Sequence, residues 1–230
     1  MGSKIPTLRN QGSGQQLAFL LSVIFILLGS FALAGSLGIT EEMLNMVAKE
    51  YGRRARGRIL NWENIVDKHQ SDSELAKLKA VNNFFNKNRF IPDIQHWKKA
   101  DYWATPIEFL STKGGDCEDF AIAKYVTLRA LDIPDEKLRI TYVKAIRLNQ
   151  AHMVLTYYES PKAIPLVLDN IDLRIRPANK RTDLKPVYSF NGDGLWLAKM
   201  RGEGQKLGTA DDLNMWRDYV TRINRERGSK

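Results

Sequence analysis

The sequence predicts an α+β domain in which helices from the first half pack on an antiparallel sheet drawn from the second. Two observations point there. From Thr40 to about Ala130 the apolar residues recur at helical spacing, whereas after Pro134 they alternate in stretches rich in β-branched and aromatic residues. A third observation says where function would sit. The only cysteine, Cys117, begins the helical run "CEDFAIAKYVTLRAL", so its thiol would stand where the helical part meets the sheet.

The elements follow in order. Lys4 and Arg9 precede "LAFLLSVIFILLGSFALAG", and no charged residue lies between Arg9 and Glu41. That is the layout of a signal peptide, with Ala32, Leu33 and Ala34 as an A-x-A cleavage pattern. Uncut, the apolar stretch 17–39 is long enough to span a bilayer, so residues 1–38 read as a signal peptide or an N-terminal membrane anchor, and either implies export. Thr40 followed by Glu41 and Glu42 reads as an N-cap with an acidic first turn, opening a helix that stops near Gly52 or Gly57. Trp62, Ile65 and Val66 mark a second helical segment. A capping box from Ser71 to Glu74 opens a third, with Leu75, Leu78, Val81 and Phe85 as its core stripe. The segment around Trp97, Trp103 and Pro106 reads as a loop leading to "STKGGD", and Asp116 stands in the N-cap position of the cysteine helix.

Beyond Pro134, "RITYVKAI", "HMVLTYY" and "IPLVLDNI" read as strands, with "KPVYSF" and "LWLAKM" as weaker ones. A terminal helix from Asp211 to Arg227 turns Trp216, Tyr219, Val220 and Ile223 inward. With 43% hydrophobic and 10% aromatic residues the chain buries an ordinary core. Its net charge of +9 permits an acidic partner, but no segment interleaves basic and aromatic residues as nucleic-acid binding requires. The densest basic cluster, Arg53, Arg54, Arg56 and Arg58, reads as a solvated face.

A helix N-terminus activates a thiol, because free backbone N–H groups and the macrodipole stabilise the thiolate. The plain alternative is a small buried apolar residue that happens to begin a helix. A nucleophile needs a base, and of the three histidines His69 and His96 lie in polar surroundings while His152 begins a strand. If Tyr158 pairs with Ala163 across a short hairpin, counting back along both strands sets Asp169 opposite His152, on the same face. A slip of one residue would substitute Leu168 or Asn170 and leave Asp172 as the nearest spare acid. Cys117, His152 and Asp169 together make a nucleophile, base and orienting acid, the set that acyl transfer needs. The Cys117 N–H would face a developing oxyanion, with Trp103 and Asn149 as candidates for a second donor.

Asp116, Glu118 and Asp119 flank the thiol. They favour the positive end of a helix, yet three carboxylates also raise a neighbouring thiol's pKa and repel one another. A hard cation such as Ca²⁺, which takes carboxylate oxygens, removes both costs.

"DYWATPIEFL", "GGDCEDFAIAKY", "HMVL", "LVLDNI" and "RTDLKPVYSFN", in that order, resemble the bacterial transglutaminase-like cysteine proteinases of the LapG type over about residues 40–200. The resemblance implies a papain/transglutaminase-like core in 39–230, a Cys117–His152–Asp169 triad, and calcium held by Asp116, Glu118 and Asp119. It further implies a periplasmic protease that clips a large surface adhesin near its N-terminus at a pair of alanines, dispersing a biofilm. An inner-membrane cyclic di-GMP receptor would sequester it. Two other readings stay open on the residues alone: amide acyl transfer on the same triad, and a non-enzymatic interaction module.

Overall fold

A computed structural model describes residues 37–197 and 204–226. The expected signal or anchor lies outside the described residues apart from Leu37 and Gly38, as do the end of "LWLAKM" and the last four residues. The described residues all fall in one compact unit, within Gly35–Lys230. No helix among the described residues is long and apolar enough to cross a membrane.

The helices are α1 (Glu41–Tyr51), α2 (Arg53–His69), α3 (Glu74–Phe85), α4 (Asp93–His96), α5 (Pro106–Thr112), α6 (Cys117–Ala130) and α7 (Asn214–Glu226). A two-stranded parallel ribbon joins β1 (Arg89–Phe90) to β2 (Gly114–Gly115). The main sheet contains β3 (Leu138–Ala145), β4 (Gln150–Tyr157), β5 (Leu166–Leu168), β6 (Arg176–Pro177), β7 (Leu184–Phe190), β8 (Leu195–Leu197) and β9 (Lys206–Gly208). All its neighbours are antiparallel, in the order β6-β5-β4-β3-β7-β8-β9. The α+β architecture expected from the change of period is thus present. Helix α6 packs across β4 and β3 at the middle of the sheet, and Phe120, Ile122, Leu128, Ile140 and Leu155 are buried together there.

Local chemistry sets most boundaries. The Thr40 hydroxyl accepts from the Met43 N–H at 3.1 Å, and α1 stops at Gly52, whose φ of 87° a side chain would strain. Gly57 sits inside α2. Helix α3 starts from Ser73, not from a box on Ser71, because His69 Nδ1 pairs with Asp72 Oδ2 at 2.7 Å and closes the turn first. Its stripe differs too. Leu78, Val81 and Phe85 are wholly buried, but Leu75 is 47% exposed; at about 100° per residue it stands well round the helix from their mean direction. Lys77 and Asn82 are buried in its place.

Two expectations are corrected by hydrogen bonding. Residues 106–112 form a helix rather than a loop, since Thr105 and Glu108 make a reciprocal capping box with Pro106 at the first helical position. Arg58 does not belong to a solvated face. Its guanidinium donates to the Leu110 and Ser111 carbonyls at the end of α5, the first of which also accepts from Lys113 N–H at 3.3 Å, while Arg56 pairs with Glu41 at 3.1 Å.

The β4–β5 register is offset by two residues from the expectation. Leu155 faces Leu168 and Tyr157 faces Leu166, so the count places Ile171, not Asp169, across from His152. The hairpin is longer because Tyr158 N–H donates to Lys137 O and Ala163 N–H to Ser160 O, which leaves neither free to pair with the other. Pro165 has no N–H to extend the ladder. An offset of two preserves the face on which each side chain lies, so Asp169 remains on the His152 side.

Replacing Arg58 with Ala strands the Ser111 carbonyl and leaves Leu110 O with the Lys113 N–H alone. Urea denaturation of R58A is expected to show a loss of about 1–3 kcal/mol, with the slope unchanged.

Candidate active site

Asp116 caps α6 and puts Cys117 at its first position. The Asp116 and Asp119 side chains each bond to backbone of the other's turn, a capping box of two acids. Asp119 is fully buried. Its Oδ1 accepts from Ala104 N–H at 2.6 Å and its Oδ2 from Asp116 N–H at 3.2 Å, tying the α5 approach to the start of α6. Only glycine fits before the cap: a Cβ on Gly115 would lie 2.1 Å from Asp119 Oδ2.

Across the interface, β4 presents His152, 2% exposed, and the chain leaving β5 presents Asp169, 1% exposed. His152 Nε2 lies 2.8 Å from Asp169 Oδ1. Asp169 also accepts from Ile171 N–H at Oδ1 (3.0 Å) and from Arg181 Nη2 at Oδ2 (2.7 Å). Burial raises the Asp169 pKa, but the bond and charge of His152, with the Ile171 and Arg181 bonds, outweigh it and hold the carboxyl well below its usual range. An ionised Asp169 can only accept, so Nε2 carries the proton and the neutral imidazole keeps a lone pair on Nδ1.

The Asp169 backbone is held as firmly. Asn86 Nδ2 donates to its carbonyl at 2.9 Å and Lys124 Nζ at 3.1 Å, while Asn82 Nδ2 holds Leu173 O at 2.8 Å. Burial lowers the Lys124 pKa to about 7, against the pull of Asp169. Arg181, Asn86 and Lys124 escape the sequence reading. The one signal available was polarity at positions the helical pattern calls buried, Asn86 beside Phe85 and Lys124 within "FAIAKYV".

Cys117 and His152 line one cleft of about 710 Å³, with Trp103, Met153, Tyr142 and Tyr188 among its walls. The Cys117 thiol donates to Glu118 Oε2 at 3.0 Å. Burial and the Glu118 charge and hydrogen bond push its pKa far up, opposed by the Met153 backbone N–H, which faces the sulfur. Trp103 also lines the cleft, but its side chain is hydrogen-bonded to Asp101. Asn149 sits in the β3–β4 turn with φ of 50°. His69 bonds Asp72 and His96 stacks on Trp97 at 4.4 Å, both away from the cleft lining.

The acids near the thiol form a larger set than the sequence suggested. Ligand-bearing atoms of Asp116, Cys117 and Glu118 lie within 4.8 Å of one another, as do those of Asp93, Asp116 and Asp119, and of Asp93, Asp101 and Glu118. Oδ1 of Asp93 and Oδ1 of Asp116 are buried without a hydrogen-bond partner. Burial, reinforced by Glu118, raises Asp93 to about 6 and Asp116 to about 10, and Asp119 is raised for the same reasons. Unpartnered carboxylate oxygens that resist ionisation are what a hard divalent cation satisfies, so the donor set fits Ca²⁺.

A sequence profile of the bacterial transglutaminase-like cysteine proteinases matches residues 57–189. The chain belongs to this family. Calcium-bound LapG of Legionella pneumophila is 43% identical to the proteinase and superposes with a TM-score of 0.69 over 80% of this chain and 99% of LapG. The EGTA-treated form of that protein gives 43% identity and a TM-score of 0.71 over 80% and 98%. A comparison with curated proteins gives no match. The papain/transglutaminase-like fold expected from the motifs is therefore the fold of this proteinase.

Groups whose folded pKa is raised bind protons more tightly in the native state. Without a cation their contribution is best below the ordinary carboxylate range and is lost as pH rises through about 6 for Asp93 and onward for Asp116. The depressed Asp169 acts oppositely, stabilising above its ordinary value of 3.8. In EGTA the melting temperature is thus expected to fall between about pH 5 and pH 8. Millimolar Ca²⁺ should raise it at pH 8, the ion adding about 2.7 kcal/mol of stability once it exceeds its Kd a hundredfold. Differential scanning calorimetry across pH, with and without Ca²⁺, measures both.

Proposed function

We propose that the proteinase is a calcium-dependent endopeptidase in which Cys117 attacks, His152 moves the proton and Asp169 orients the imidazole. The observation that carries this is the buried His152–Asp169 pair at 2.8 Å, in the wall of the same cleft as the thiol that begins α6. With Nε2–H held by Asp169, Nδ1 of His152 takes the Cys117 proton. The thiolate adds to the scissile carbonyl carbon, and the C–N bond breaks as the imidazolium returns its proton to the departing amine. Water, deprotonated by Nδ1, then cleaves the thioester and restores the thiol. The Cys117 backbone N–H, unpaired at the helix start, is aimed to stabilise the tetrahedral oxyanion. Arg181 keeps Asp169 ionised through the cycle and fixes the plane of its carboxylate.

Asp116 and Glu118, with Asp93 and Asp101 completing the shell and Asp119 bracing the loop, would hold the Ca²⁺. When bound, the ion supplies positive charge that offsets these acids and favours the thiolate. The unpartnered oxygens of Asp93 and Asp116 support this, as does the likeness to a LapG described in calcium-bound and EGTA-treated forms.

The physiological reading follows the family resemblance of the sequence motifs. The substrate is the N-terminal region of a large surface adhesin, cut at a di-alanine site to release it and disperse a biofilm, and a cyclic di-GMP receptor of the inner membrane restrains the enzyme. The 43% identity to LapG supports this reading, and the signal-peptide layout of the N-terminal sequence favours a periplasmic enzyme, free or tethered. Small side chains suit a cleft walled by Trp103, Tyr142 and Tyr188.

Purified enzyme incubated with N-terminal adhesin fragments should cut them in Ca²⁺, stop in EGTA and resume on adding Ca²⁺. Cys117→Ala is expected to leave no detectable cleavage with the melting curve retained. Asp169→Asn should lower kcat by on the order of 10³–10⁴ through the wrong imidazole tautomer. Activity that is indifferent to EGTA, or that survives C117A, overturns the assignment. Iodoacetamide labelling supplies an independent readout: Cys117 should react faster in Ca²⁺ than in EGTA.

A further inference from the structure

A second concavity of about 490 Å³ adjoins the active-site cleft, and Leu148 and Ile171 line both. Those two side chains are 54% and 50% exposed, so they form a low apolar rim over which one hollow continues into the other. The walls of the second carry Arg147, Arg174, Arg176, Lys180 and Arg181.

The charges are only partly answered. Arg174 chelates Asp172 through Nε at 2.8 Å and Nη2 at 3.0 Å, and Arg176 shares the same carboxylate at 3.3 Å. Arg181 is held by Asp169 and Asp183 at 2.7 and 2.8 Å. Arg147 and Lys180 have no acidic partner among the described residues, and both are exposed. Against five cations stand three carboxylates, so the excess lies with Arg147 and Lys180. At the far side of the Cys117 cleft the polarity reverses, with Asp101, Asp116 and Glu118 in its wall; those are the acids assigned above to a cation. Nothing of that kind answers the basic end.

We infer that this basic hollow is an extended subsite that receives acidic side chains of the polypeptide substrate on one side of the scissile bond. The inference rests on the endopeptidase reading and names the substrate class at its flank. An extended chain lying in the cleft and crossing the Leu148–Ile171 rim delivers alternate side chains to the hollow. Concave walls of one sign concentrate the opposite charge, and partial desolvation strengthens each pair. Continuity with the cleft favours a peptide over a free polyanion, because only a ligand already seated at the cysteine would be guided into the hollow.

The test uses two labelled peptides that share the residues nearest the scissile bond and differ beyond them, one with Asp and Glu flanks and one with Asn and Gln. Binding to full-length Cys117→Ala protein in Ca²⁺ is read by fluorescence anisotropy, so it does not depend on turnover. The acidic peptide should bind about fivefold more tightly, as two partly exposed ion pairs allow. The advantage should shrink in 0.5 M NaCl. It should vanish in a protein that also carries Arg147→Gln and Lys180→Gln, with affinity for the neutral peptide unchanged. In otherwise wild-type enzyme the same two substitutions should raise KM for the acidic peptide and leave kcat on the neutral one. Equal binding of both peptides, or a preference that persists without Arg147 and Lys180, overturns the subsite. A short polyglutamate that binds equally well with the cleft blocked by the neutral peptide would make the hollow a general anion site and overturn it too. Failure of the proteolytic reading looks different: no peptide is cut, whatever its flank.

Discussion

The site depends on keeping one carboxylate charged inside protein. Asp169 is almost completely buried, a position that ordinarily favours the neutral acid, and three groups reverse the preference, His152, the Ile171 amide and Arg181, while Lys124 and Asn86 hold its backbone carbonyl. These groups come from the end of α3, β4, α6 and the chain beyond β5, so the ionised acid is also the point at which those segments are fastened. A buried charge with complete partners gives little net stability. What it gives is geometry, since any alternative packing of these segments leaves the charge without partners.

The acids around Cys117 pose the opposite problem. Asp93, Asp116 and Glu118 crowd a thiol that is already desolvated, and every interaction among them raises a pKa. Helix α6 offsets part of this through its exposed amides, but a macrodipole is worth less than about 2 kcal/mol even in favourable geometry. Without more positive charge the thiol remains a donor to Glu118. On the proposed reading the thiol therefore waits on a cation from outside the chain, whereas the His152–Asp169 pair is complete within it.

How much of this was legible in sequence follows from the range of the interactions. Local chemistry could be read: the Thr40 cap, the stop at Gly52, Asp116 before Cys117, and the strands beyond Pro134 all depend on neighbours within a few residues. The juxtaposition of His152 and Asp169 was legible because face is set by parity, and parity survives an error of two in register. The register itself was not, because it depends on Tyr158 bonding to Lys137, a contact outside the hairpin. Arg58, Asn86 and Arg181 were illegible for the same reason. Each is an ordinary polar residue until folding carries it to its carbonyl or carboxylate, 52 residues away for Arg58 and Leu110, 83 for Asn86 and Asp169, and 12 for Arg181 and Asp169. The helix 106–112 is a different case: Thr105, Pro106 and Glu108 spelled out its start, and the two tryptophans nearby obscured it.

The hairpin between β4 and β5 has one more implication. Its tip, Glu159 to Lys162, is exposed, while the strands on either side are anchored by Tyr158 to Lys137 and by the hydrogen bonds to Asp169. Length there is uncoupled from the chemistry. Grafting a fluorophore or an affinity epitope at Ser160 would give a reporter outside the walls of both the Cys117 cleft and the basic hollow beside it.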